Sequence, residues 1–283
     1  MSVLVDRFAQ RVHGTLLKNA DEAILGRIRN LRQHVKRKNG AAPPLEIFFP
    51  ARKIKYVVTN RDLNADGALI PLGDNFHDGF QMALRPDLPS TRIRFTVAHE
   101  LCHTFFYEEV PEIKFTNHPC DEGEERLCNV GAAELLMPET DVKRQAKGKA
   151  VSLATLEELA NHYGVSWEAM FVRLRSAKIW NAELSVWRKI TKGTFELKRI
   201  LGAKNEQWRW LEEDIPNRIL TGHVNALHGS TFWIHDTLKG PRFKPVHYEA
   251  RRRRDEIIAL GIMQKRNAAK PVSLFHSDRS SLP

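Results

Sequence analysis

Apolar residues recur along the chain in three rhythms. In the first 44 residues the spacing is helical, through Ala23, Ile24, Ile28, Leu31 and Val35, with Asp21-Glu22 near one end and Lys36-Arg37-Lys38 near the other. Charges in that order complement a helix dipole, and Gly40 with Pro43-Pro44 ends the element. Residues 1–44 therefore read as an N-terminal helical segment packed on the domain beyond it. From 45 to 85 the rhythm changes to short apolar runs at 45–49, 54–58, 68–72 and 80–84, broken by turn residues at Asn64-Ala65-Asp66-Gly67 and Asp74-Asn75. Four strands are expected there. The stretches 94–106 and 120–138 return to longer helical patterns, the second stopped by Pro138.

Beyond a charged stretch at 141–149, residues 155–174 predict two short helices around Gly164, with Thr155 and Glu158 as a capping box and Ser166 capping the second. This is a helix-turn-helix pattern over 146–183. Its second helix leads with Trp167, Glu168 and Ala169, where a groove reader presents Arg, Asn, Gln or Ser. The pair reads as a packing module against the longer helices. Farther on, 184–200 and 231–235 predict strands, and 251–256 predicts the opening of a helix with Arg251 facing Asp255 and Arg252 facing Glu256. The class expected is α+β, with a final domain, also α+β, from 184 to 283.

The chemistry concentrates in residues 45–145. On a helix, His99 and His103 share one face about 6 Å apart along the axis, so two imidazoles can close on one ion. Glu100 lies beside them, suited to take a proton from water at a hydrolytic zinc, which uses three protein ligands and leaves one position open. Two satisfied surface histidines are the plain alternative. The setting argues against it, since Phe95, Val97, Ala98, Leu101, Phe105 and Phe106 make the helix too apolar to be exposed. A metzincin is excluded, because its eighth and eleventh positions hold Phe106 and Glu109. The third ligand is best sought in 120–138, where Glu125 and Asn129 share a face and a ligand carboxylate gains a polar neighbour. The loop at 116–123 brings His118 as a candidate for polarising a substrate carbonyl or steadying an oxyanion, and exposed loop is its plain reading.

Arg94-Phe95-Thr96-Val97-Ala98-His99-Glu100-Leu101-Cys102-His103, followed by Glu125-Arg126-Leu127-Cys128-Asn129 and Ala132-Ala133-Glu134-Leu135-Leu136-Met137-Pro138, resembles the ImmA/IrrE family of zinc metallopeptidases over roughly residues 40–180. The resemblance implies a zincin-like domain holding one Zn²⁺ per chain on His99, His103 and Glu125, with Glu100 as general base and Asn129 as a helper beside the ligands. Glu124 is an alternative ligand if the register is shifted by one. Cys102 stands where the family usually has Gly, and Cys128 where it usually has Ala. A peptide laid along the sheet edge as an added strand is also implied, and that edge is assigned to residues 78–85. The substrate implied is a regulatory protein, a DNA-binding repressor or an antitoxin, cleaved in response to stress or mobile-element signals.

Charge refines the question of partners. Residues 184–283 hold 19 Lys/Arg against 10 Asp/Glu, whereas the preceding 183 hold 25 against 24. The basic excess is C-terminal, interleaved with Trp187, Trp208, Trp210 and Trp233, and it permits binding to nucleic acid or to an acidic protein surface. It also supports a second reading, a DNA- or partner-binding transcriptional regulator with a structural or relic zinc. No long apolar run or signal-peptide core is present, so no membrane partner is expected and the cytoplasm is the default compartment. Cys102, Cys120 and Cys128 form neither an even framework nor a metal-pair spacing, which points to reduced thiols.

Overall fold

Prolines, caps and buried apolar faces set the element boundaries in the computed structural model, which describes residues 3–13, 20–33, 43–110, 121–191, 194–201, 231–236, 246–253 and 256–263. The chain divides into two compact units, residues 1–150 with 154–180, and residues 151–153 with 181–283. In the first unit, α1 (Val3–His13) and α2 (Ala20–Gln33) precede a 3-10 turn at Leu45–Phe48, then β1 (Ile54–Thr59), β2 (Gly67–Pro71) and β3 (Phe80–Leu84). Five helices come next: α3 (Ser90–Glu109), α4 (Glu122–Leu136), α5 (Glu139–Ala146), α6 (Leu153–Tyr163) and α7 (Trp167–Ser176). The mixed α and β content agrees with the expected class.

The small sheet has the order β1-β3-β2, with β1 parallel and β2 antiparallel to β3. Two expectations are corrected by this arrangement. Residues 45–48 coil into a 3-10 turn instead of a strand, because Pro44 starts the turn and both Leu45 and Phe48 are buried within it. Residues 78–85 are not a free edge either. They form the centre of the sheet with both sides hydrogen-bonded, and β2 is the edge that runs along helix α3.

Helix α3 is apolar on nearly every side, so it is buried along most of its length, from Thr96 through Tyr107. A buried guanidinium fastens it to the sheet. Arg52, 4% exposed, donates from Nε to Thr104 Oγ1 at 2.8 Å and from Nη1 to Glu108 at 2.7 Å, and lies 3.7 Å from the Phe105 ring centroid. Burial lowers its pKa, and the Glu108 carboxylate partly offsets that loss. Helix α4 begins at Asp121, whose carboxylate accepts from the Gly123 and Glu124 amides, and Pro138 ends it as expected.

Where α2, α3 and α4 meet, Gly131 is the contact point. A Cβ there would stand 2.7 Å from Cys102 Sγ and 3.0 Å from Ile24 Cγ1. Ile24, Ile28 and Ala23 are fully buried in this junction, so the helical spacing of the N-terminal segment marks a packed face. Val35 and the basic run after it lie outside the described residues.

Glu134 of α4 ties the later helices to this core. It is 3% exposed, pairs with Arg173 of α7, lies 3.6 Å from Arg29 of α2 and accepts the Glu139 amide at 3.2 Å. Arg173 also donates to the Met137 carbonyl at 2.8 Å, and Tyr163 donates to Asp141 at 2.9 Å. The α6–α7 pair thus packs on α4 and α5. Gly164, at φ 62°, makes the turn, and Ser166 accepts the Ala169 amide. Thr155 is not the cap expected of it, since α6 starts two residues earlier, at Leu153.

The second unit contains β4 (Ala182–Thr191), β5 (Thr194–Leu201), β6 (Thr231–Asp236), β7 (Val246–Arg253) and β8 (Glu256–Met263) in one antiparallel sheet of order β5-β4-β8-β7-β6. The helix expected from 251 is a correction: Arg251 stands opposite Ile258 and Arg253 opposite Glu256 across a strand pair. Local charge spacing loses to β-branched Ile257 and Ile258, whose burial requires the sheet. Among the described residues, those from 182 onward lie in strands. Trp208, Trp210 and the last 20 residues lie outside the described part.

Gly131→Ala is expected to destabilise the protein by about 1–3 kcal/mol through overpacking, with Cys102→Ala added alongside recovering part of the loss, measured by urea unfolding. Cys102 and Cys128 are fully buried, and burial pushes both thiols well above their usual pKa. Iodoacetamide is therefore expected to spare both in the folded protein and modify both in denaturant, read by peptide mapping.

Candidate metal centre

Helix periodicity places His99 and His103 one turn apart on α3, and the Gly131 junction brings α4 close enough to face them. His99 Nε2 stands 3.1 Å from His103 Nε2 and 3.1 Å from Glu125 Oε2, while His103 Nε2 stands 3.4 Å from Glu125 Oε1. Each outer nitrogen is held by α4 as well. His99 Nδ1 is 3.1 Å from Asn129 Oδ1, and His103 Nδ1 is 2.6 Å from Glu124 Oε1. Both partners are acceptors, so both Nδ1 atoms carry the proton and donate. The two Nε2 lone pairs then point at each other and at a carboxylate.

Three acceptors facing one another repel unless a cation stands among them. The spacing also suits one. Ligand bonds of about 2.05 Å arranged tetrahedrally put donor atoms about 3.3 Å apart, and the three separations here bracket that value. The residues present therefore fit a zinc ion. Among the described residues a second group, His103, Glu124 and Cys128, also clusters. It is the poorer donor set, because it reuses His103 and relies on a buried thiol held in its neutral form.

Glu100 is 6% exposed and lines the same cleft, an opening of about 670 Å³ bordered by Ala65 to Leu69, Phe95, Thr96, Tyr107 and Asn129. Burial pushes its carboxyl pKa up, and the two histidines partly offset this. Burial disfavours charge on His103, yet the Glu124 hydrogen bond and the nearby carboxylates raise its pKa. The same negative surroundings that favour a proton favour a divalent cation. Burial, then Glu124 and Glu100, push the Tyr107 phenol up to about 12, so it keeps its O–H proton at neutral pH.

The structure brings His99, Glu100, His103, Glu125 and Asn129 into one site. Glu124, read from sequence only as a register alternative, contacts His103 on its Nδ1 side. Sequence reasoning missed Tyr107, although its i,i+4 relation to His103 places it on the same helix face. His118 and Cys120 lie outside the described residues.

A family model for the IrrE N-terminal-like domain, Peptidase_M78, matches residues 67–175, within the span over which the motifs resemble ImmA/IrrE enzymes. A search of curated proteins finds no match. Among solved structures, a Mycobacterium tuberculosis transcriptional regulator superposes with a TM-score of 0.52 at 15% identity, covering 92% of this chain and 80% of that one. That likeness concerns fold alone. Two histidines and a glutamate converging inside the matched segment agree with the family model, whose match over residues 67–175 supports the resemblance to ImmA/IrrE enzymes.

Proposed function

We propose that this protein is a cytoplasmic zinc-dependent endopeptidase that hydrolyses a peptide bond in a regulatory, repressor- or antitoxin-like protein. The observation that carries the reading is the convergence of His99 Nε2, His103 Nε2 and Glu125 in an open cleft with Glu100 beside them. The match of residues 67–175 to a peptidase family model supports the reaction type, and the resemblance to ImmA/IrrE enzymes supports the substrate class and a link to stress. No described helix is long and apolar enough to cross a membrane.

His99, His103 and Glu125 would hold the ion, which when bound supplies a Lewis acid that acidifies water and polarises a carbonyl oxygen. Glu124 and Asn129 keep each imidazole in the tautomer whose Nε2 lone pair faces the cleft. Glu100 takes the proton of the attacking water and passes it to the leaving amine nitrogen, and its burial strengthens it as a base. Tyr107, protonated and at the cleft wall, is a donor available to substrate or oxyanion. His118 enters the proposal as a further candidate for that stabilising role.

A second reading, a DNA- or partner-binding regulator with structural or relic zinc, draws on the basic excess of residues 184–283 and on a structural neighbour described as a transcriptional regulator. DNA affinity that falls with salt and survives zinc chelation supports it, and no binding at low salt removes it.

Glu100→Gln is expected to keep one zinc per chain and the wild-type melting temperature while reducing hydrolysis by about 100-fold or more, since general acid–base catalysis contributes on that order. The readout is new protein N-termini in a cell extract treated with wild type or variant. Identical sets from both remove Glu100 from the mechanism. Glu124→Gln and Asn129→Ala are each expected to weaken zinc binding about 10- to 100-fold in a chelator competition. Unchanged affinity in both variants means that the Nδ1 contacts do not orient the ligands.

A further inference from the structure

Gly67 opens β2 at the wall of the cleft, and its surroundings leave no room for a side chain. An added Cβ would lie 2.4 Å from Thr96 Cγ2, 3.1 Å from Glu100 Oε1 and 3.4 Å from the Ala83 carbonyl oxygen. Its backbone does not demand glycine, because the positive-φ glycines are Gly79, Gly148 and Gly164. Space is the reason. Thr96 and Glu100 are 5% and 6% exposed, so most of each side chain is already packed and has little room to yield. The strand backbone rests directly on the side chains of α3, one of which is the proposed base.

Sheet topology gives this contact a use. β2 pairs with β3 on one side, and along its other edge Gly67, Ala68 and Leu69 border the cleft. A peptide added there as a strand would lie about 4.8 Å from β2, so the height of β2 above α3 sets the height of the peptide. Relieving a 2.4 Å contact to ordinary van der Waals distance lifts the strand by about 1 Å, and misplacement of that size is enough to cost about 100-fold in a reaction.

We propose that Gly67 is a positioning residue for peptide hydrolysis: by lacking a side chain it lets the β2 edge settle onto the Thr96 and Glu100 side chains, so that a strand-paired peptide presents its carbonyl carbon to the water that Glu100 deprotonates. This rests on the metallopeptidase reading above.

The test uses the full chain loaded with zinc and compares wild type, Gly67→Ala, Thr96→Ser and the double variant. Two probes are titrated: acetohydroxamate, which needs only the metal, and the hydroxamate of acetyl-Ala-Phe-Ala, which also needs the strand edge. Zinc affinity and melting temperature are measured in parallel. Wild type is expected to bind the peptide hydroxamate roughly tenfold or more tighter than acetohydroxamate, the gain of strand pairing. In Gly67→Ala that preference is expected to collapse while zinc and acetohydroxamate binding stay within about threefold of wild type, about 0.65 kcal/mol.

Thr96→Ser removes the methyl that the new Cβ would strike and keeps the hydroxyl that bonds the Arg92 carbonyl at 3.0 Å, so alone it is expected to leave the preference intact. Added to Gly67→Ala, it is expected to restore part of the lost preference. Three results overturn the proposal: a preference unchanged in Gly67→Ala, a wild type that shows none, or loss of zinc binding together with the preference. A wild type that binds neither zinc nor acetohydroxamate defeats the metallopeptidase reading itself and the proposal with it.

Discussion

Two helices that cross at near-backbone distance make this site possible. Gly131 of α4 has no side chain and Cys102 of α3 has a small one, so the helices close until the faces carrying Glu124, Glu125 and Asn129 meet His99 and His103. A larger residue at either position separates donor atoms that need to lie about 3.3 Å apart for tetrahedral zinc. Chemistry at the cleft is thus set by packing one turn beneath it.

Once the helices are in contact, one helix supplies most of the control. α4 contributes a carboxylate that faces the imidazoles and both acceptors on their outer nitrogens, while α3 contributes the imidazoles and Glu100. Surrounding both with buried carboxylates is unfavourable in isolation, and a divalent ion resolves it. Burial raises the proton affinity of Glu100, whereas the Glu124 hydrogen bond and the neighbouring carboxylates raise that of His103 against the effect of burial.

Most of the candidate site is legible in the sequence because helices obey simple spacing. His99, Glu100 and His103 come from one motif on one element, and Glu125 with Asn129 from an i,i+4 relation on another. What escapes depends on contacts between elements. Glu124 meets His103 only because of the rotation at which α4 meets α3. The identity of the free sheet edge depends on strand order, which alternation does not encode, so 78–85 reads as an edge and is the centre. The arginine run at 251–253 shows the same limit, since its partners on β8 are set by register rather than by neighbours in sequence.

Glu134 lies in the most recognisable stretch of the chain, yet it touches no ligand. It joins α4 to Arg173, Arg29 and the amide that starts α5. Scaffold and reactivity are therefore separable here: a descendant that lost His99 could keep this buried knot, fold normally and still be recognised by its Ala-Ala-Glu-Leu-Leu-Met-Pro signature. Kinship judged from that heptapeptide reports the architecture, and only the imidazole pair reports whether the cleft can still hold an ion.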